Sequence, residues 1–383
     1  MKLKDVLLTT DGTAGPGEPV DPGPAGKGLE QGTALCLSGG GYRAMLFHLG
    51  GLWRLNELGL LGRLDRISSV SGGSIASGVL GRAWSSLAFD QAGVATNFIP
   101  KVVQPIRGVA SRTIDAWALL SGLFVWAPRR LVAAYRKHLF GQTTLQALPD
   151  RPRFVFNALN VGSNALWRFS KPYMGDYKVG LIPSPNLELA VAVAASSAFP
   201  PFFSPFELAL DPRAFSAGTG TSLQAEPYTS RAALTDGGVY DNLALETAWK
   251  RLSCILVSDG GKRVGPQPRP HRNWISHLLR IFELDDGQVR SLRTRQLIAS
   301  YSAGLRSGAY WSIQPSVGAG TTGLPVPMDR TQALAAMPTR LAAIDPDDQE
   351  RLINWGYASS AAALLRWQPS PQPPGFPYPN AGV

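Results

Sequence analysis

Two hydrophobic periods alternate along the chain. ALCLS (34–38) and ISSV (67–70) are short apolar runs that predict buried strands, each leading into apolar positions spaced as in a helix, over 43–60 and 74–86. Further strands are predicted at 153–161 (RFVFNALNV), 166–170, 187–193 and 254–258. Strands alternating with helices argue for an α/β fold, its sheet largely parallel and covered on both faces. The ends read differently. Residues 11–32 hold seven Gly and four Pro, and residues 369–383 hold six Pro. The expected organisation is a flexible leader (1–32), a single α/β domain (33–366) and a Pro-rich tail (367–383), PPII-like or disordered. Within the domain, 33–260 is the motif-bearing core and 270–366 a helical C-terminal part.

Residues 113–141 stand apart. From Ala116 to Ala127 only Ser121 is polar, and Arg129, Arg130, Arg136 and Lys137 follow. Twelve helical residues reach ~18 Å, short of a bilayer core of roughly 30 Å. Two readings stay open: a buried helix followed by an amphipathic one, or an interfacial element in peripheral contact with anionic membrane. In the second, Trp117, Phe124 and Trp126 dip into the lipid and the arginines meet phosphate.

Composition narrows the classes. Of 383 residues, 44% are hydrophobic and 17% charged, which excludes a disordered polyelectrolyte. The net charge of +10 has no accompanying zinc finger, RNP motif or basic run longer than two, so nucleic acid is not an expected partner. Cys36 and Cys254 sit in apolar runs and read as core residues of a reduced compartment, with no disulfide framework. The N-terminus lacks an apolar core long enough for a signal peptide, and no stretch is long enough to span a bilayer. A cytoplasmic protein is expected.

Three short segments carry candidate chemistry. Ser38-Gly39-Gly40-Gly41-Tyr42-Arg43-Ala44 lies between a strand and a helix, where glycines bring N–H groups close to a ligand and the helix start favours an anion. A dinucleotide-binding reading needs an acidic residue at the end of the second strand; Glu57 and Asp65 are both misplaced for it. Ser69-Val70-Ser71-Gly72-Gly73-Ser74 fits the G-x-S-x-G elbow with Ser69 in place of the first glycine, and makes Ser71 the candidate nucleophile. Ser74 falls one turn into the helix. Asp236-Gly237-Gly238 offers a carboxylate held by a glycine turn, able to serve as a base alone. His271 and His277 come after it, so a Ser–Asp–His chain order is also open. His48 and His138 lie within helical patterns.

Together these segments resemble the signatures of the patatin-like phospholipases, supported by Phe156-Asn157-Ala158 and by Ala195-Ser196-Ser197-Ala198-Phe199-Pro200-Pro201. The resemblance covers roughly residues 33–260, with continuation to about 366. It implies a three-layer α/β/α fold and a Ser71–Asp236 dyad without histidine, hydrolysing lipid acyl esters with no metal or cofactor. The N–H groups of Gly39, Gly40 and Gly41 would form the oxyanion hole, with Arg43, Gly73, Gly237 and Gly238 in support. Arg43 has two readings, bracing the glycine loop or lying near lipid phosphate. Phe199, Phe202 and Phe203 either shelter an acyl chain or belong to the core. Ser69 and Ala44 depart from the family pattern without removing a reacting group. A non-lipid esterase or thioesterase and a silent lipid-binding module are the competing classes.

Overall fold

The computed structural model describes residues 28–115, 127–270, 273–315 and 322–383. The described residues build one ten-stranded sheet. Strand β1 (Glu30–Leu37) leads into α1 (Gly41–Glu57), and β2 (Arg66–Ser69) into α2 (Gly72–Ala83). After α3 (Gln104–Ala110) and α4 (Ala127–Tyr135) come β3 (Arg153–Asn160), β4 (Ala165–Phe169), β5 (Tyr173–Asp176) and β6 (Gly180–Pro183). Helix α5 (Leu189–Ser196) precedes β7 (Phe206–Ala209) and β8 (Arg231–Asp236), and α6 (Gly238–Asp241) and α7 (Glu246–Trp249) precede β9 (Leu252–Asp259). The long α8 (Trp274–Ser302), β10 (Ser307–Ser312), α9 (Met328–Ala336) and α10 (Pro346–Trp367) complete the fold. The strands β10-β9-β1-β2-β3 run parallel in that order, and β4, β5 and β6 continue the sheet antiparallel.

Period-two alternation on β1 and β9 makes the layers. Leu35, Leu37 and Leu256 point into the core under α1, α2 and α10. Ala34, Cys36, Ile255 and Val257 point the other way, where Leu245 and Ala248 of the α7 segment and Leu297 of α8 cover them. This is the sheet between helical layers that the pattern predicts. β1 starts earlier than expected, at Glu30, because pairing with β9 extends to Leu252.

Two expectations are corrected. The part 270–366, expected as helical, also contains strand β10, which pairs with β9. Residues 187–193, expected as a strand, enter α5. The run LAVAVAAS is apolar on every side, so it carries no period to separate strand from helix, and its four alanines favour the helix. In the 113–141 segment, Trp117, Phe124 and Trp126 lie outside the described residues. Beyond them, Ala127, Leu131 and Tyr135 of α4 are buried, Arg136 pairs with Glu188 at 2.8 Å, and Arg129 and Arg130 are exposed. No helix among the described residues is long and apolar enough to cross a membrane. Residues 368–383 form no helix or strand but are pinned to the body: Asn354 on α10 donates to Tyr378 O (2.8 Å) and accepts from Tyr378 N (3.0 Å). The tail is irregular, packed chain, not a disordered one.

Candidate active site

Strand β3 is the ruler that brings the site together. On one edge its first half pairs with β2, placing Ser69 opposite Phe156. Where β2 ends, β8 pairs antiparallel with the second half of β3 and places Asp236 opposite Ala158. Chain leaving β2 and chain leaving β8 therefore meet over β3. Ser71 lies in the first turn and Asp236 ends the second strand.

Ser71 has φ 51° and ψ −123°, a conformation an L-residue enters only at a cost of order 1–3 kcal/mol. Two glycines permit the turn. A Cβ on Gly73 would lie 2.4 Å from Leu37 O, and one on Gly72 would lie 2.2 Å from Gly41 O. Ser69 fits the elbow because its hydroxyl is satisfied below it, bonded to Ser77 Oγ at 2.7 Å. Ser74 Oγ joins the same buried cluster, 3.0 Å from Ser69 Oγ and 2.8 Å from Ser196 Oγ. Ser74 thus faces the interior, whereas Ser71 lines the cleft.

Asp236 is 3% exposed. Its Oδ1 accepts the Gly238 N–H at 2.8 Å, while Oδ2 is buried without a close hydrogen-bond partner of its own. Gly237 is required because a Cβ there would stand 2.3 Å from Asn157 O. Burial pushes the carboxyl up to about 7, the Gly238 amide and the Ser71 hydroxyl pull it down, and the charge of Asp286 pushes it up further. A carboxylate with a free oxygen and a near-neutral pKa facing a serine hydroxyl can accept its proton.

The glycine loop stands over Ser71: a Cβ on Gly39 would lie 3.3 Å from Ser71 Cβ. Gly40 and Gly41 have φ of 137° and 61°, values that favour glycine. Of the three amides expected as donors, that of Gly39 is already engaged. The Gly39 N–H is committed to Asn242, to its carbonyl at 3.1 Å and its Oδ1 at 2.9 Å. The Gly40 and Gly41 N–H groups have no acceptor among the described residues, nor has Gly72 at the start of α2. Ala44 replaces a glycine without strain because its methyl packs over Gly260, where a Cβ would approach to 2.6 Å.

Arg43 is held beside the loop and also lines the larger cavity. Its guanidinium is fully buried and donates to Met337 O and to Gly260 O (3.1 Å), while the next amide back, Tyr42 N, bonds Arg340 O at 3.0 Å. His48 is buried with Nδ1 2.7 Å from Ser258 Oγ and Nε2 2.9 Å from Ser38 O, and burial lowers its pKa to about 4. His277 is exposed on α8 and His138 is half-buried; His271 lies outside the described residues. No described histidine lines either cavity at Ser71.

Two cavities meet at Ser71. The larger, about 820 Å³, runs past Gly39, Gly40 and Asp236 to the 261–267 loop and α8. The smaller, about 140 Å³, is walled by Phe199, Phe202, Phe203 and Leu341. The aromatics of AFPPFFSP thus line space as well as core; Phe199 is 47% exposed. Sequence reasoning missed Asp286 on α8, whose two oxygens accept from Asn242 Nδ2 at 3.0 and 3.1 Å. Burial raises its pKa to about 6. Helix α8 is thereby tied through Asn242 to the glycine loop.

A family model described as patatin-like phospholipase matches residues 35–249. No curated protein matches the chain by sequence. Among solved structures, human GIVD cytosolic phospholipase A2 is similar with a TM-score of 0.49 and 14% identity, over 88% of this chain and 62% of that one. The same human enzyme in complex with methyl gamma-linolenyl fluorophosphonate gives 0.44 and 16%, over 88% and 58%. VipD from Legionella pneumophila gives 0.38 and 13%, over 96% and 73%. The chain spans 62% of the length of the first human structure.

Proposed function

The chain belongs to the patatin-like phospholipase family, and from that premise we propose that it is a lipid acyl hydrolase cleaving carboxylic esters of phospholipids through Ser71 and Asp236. The observation that carries this reading is the meeting, over β3, of a serine in a strained turn and a buried aspartate with one oxygen unpartnered.

Ser71 Oγ attacks the ester carbonyl as its proton passes to Asp236 Oδ2. The carbonyl oxygen becomes an oxyanion, for which the Gly40 and Gly41 N–H groups are the free donors; losing one such donor typically costs 10²–10³ in rate. Collapse breaks the ester C–O bond and the proton on Asp236 passes to the departing lysolipid. Water then attacks the acyl-serine, giving its proton to Asp236, and fatty acid leaves while Ser71 recovers a proton. Gly39, locked to Asn242, fixes the loop so that its neighbours point correctly. The apolar walls at Ser71 suit an acyl chain and keep Asp236 dry enough to act as a base.

Peripheral contact through residues 113–141 is retained as a proposal, resting on the apolar run and the exposed Arg129 and Arg130. The hydrolase reading is tested by incubating purified protein with mixed phospholipid vesicles and reading products by mass spectrometry. Fatty acid and lysolipid should appear in equal amounts with the parent and not with Ser71→Ala. Absence of both products with the parent would contradict it.

A further inference from the structure

Helix α8 carries an apolar stripe on its outer side. Trp274 is 74% exposed, Leu278 43%, Ile281 47% and Leu292 58%. At about 100° per residue these four fall within roughly 60° of one another, opposite the face that buries Leu297 and Arg290. The unbroken apolar run, Trp274 through Leu278 to Ile281, extends ~10 Å, and exposed Asp285 and Gln288 share its side before Leu292. Solvent-facing positions on a helix are ordinarily polar, so this stripe asks for an occupant.

We propose that the outer face of α8 docks on an anionic lipid surface and sets the mouth of the cleft against it. Three observations select lipid as the occupant. The first is continuity: the same helix gives Leu279, Phe282 and Val289 to the wall of the cleft that holds Ser71. A substrate whose tails start in a bilayer reaches Ser71 most directly when the cleft rim rests on that bilayer. The second is charge. Exposed Lys262, Arg263 and Arg269 precede the helix, and exposed Arg295 sits between Leu292 and Ile298. Against them stand Glu283, paired with Arg280 at 3.3 Å, and Asp285. The balance is positive, as on the whole chain, and a second copy docked here would bring like charges together. The third is shape. A long helix with a Trp/Leu/Ile stripe and basic flanks fits a helix lying in the interface plane. The inference rests on the lipid-hydrolase reading for its purpose but not for its measurement.

Binding is measured with Ser71→Ala protein, so the outcome does not depend on turnover. The probes are vesicles of phosphatidylcholine alone and of phosphatidylcholine with phosphatidylglycerol, in co-sedimentation. Combined Trp274→Ala, Leu278→Ser and Ile281→Ser should weaken binding to both vesicle types at least tenfold. Lys262→Glu with Arg269→Glu should remove only the preference for phosphatidylglycerol, which added salt should also weaken. In the Ser71-intact protein the triple variant should hydrolyse a water-soluble ester at the parental rate and lose rate only on vesicles. All three positions are exposed, and an unchanged melting temperature confirms that the variant is folded. Undiminished vesicle binding by the triple variant would overturn the proposal. So would a stable dimer in sedimentation equilibrium that protects α8 from hydrogen exchange.

Discussion

Asp236 must be ionised to take a proton, yet its site resists the charge. Burial and the nearby Asp286 hold the carboxyl at about 7, against an ordinary value of 3.8. The difference corresponds to about 4 kcal/mol between the two protonation states. At pH 5 such a group is about 1% ionised, whereas an ordinary aspartate would be more than 90% ionised. The kcat/KM on a water-soluble ester, which reports the free enzyme, should therefore fall about tenfold per pH unit below 7, reaching about 1% of its plateau at pH 5. Stability should move the opposite way. A carboxyl whose pKa is higher in the folded than the unfolded chain favours folding while protonated. That contribution is complete below about 3.8 and is lost as pH rises through about 7. Asp236→Asn removes the buried charge, so it should abolish turnover yet stabilise the fold by up to about 4 kcal/mol at pH 8, with little effect at pH 4. The assays are a pH–rate profile and paired denaturant melts at the two pH values. A kcat/KM that stays flat from pH 5 to 8, or a variant less stable than the parent at pH 8, would refute the reasoning.

Asp286→Asn removes the like charge that helps raise Asp236, so the acid limb of kcat/KM should shift to lower pH; an unmoved limb in the same pH–rate assay would show that the two carboxyls are uncoupled. Gly39→Ala would put a Cβ 2.5 Å from Asn242 Oδ1, displacing the lock on the glycine loop. Steady-state kinetics should then show kcat down 10–100-fold with KM little changed, and an unaltered kcat would deny the lock any part in orienting the donors.

The reacting groups were legible because strained turns need particular residues. Gly72, Gly73 and Gly237 each face a backbone oxygen too closely for a Cβ, so the motifs record geometry directly. The strands flanking them, β1, β2, β3 and β9, were legible as buried apolar runs. What stayed hidden depends on contacts between distant positions. The Gly39 amide is taken by Asn242, 203 residues away, and Asp286 sits in an ordinary-looking helical stretch until the fold sets it against Asn242. The short β5, β6 and β7 are framed by turns and carry little periodicity. α5 was misread because an all-apolar run has no face. The outer stripe of α8 has helical spacing like any core-facing helix, and only the fold shows which side the core took.

The most direct test is to react the protein with a fluorophosphonate and locate the adduct by peptide mass spectrometry. The nucleophile of a Ser–Asp pair should carry it, so the parent, Ser74→Ala and His277→Ala should each be modified at Ser71. Ser71→Ala should remain unmodified, and Asp236→Asn should react at least a hundredfold more slowly. An adduct on Ser74, or loss of reactivity in folded His277→Ala, would contradict the account.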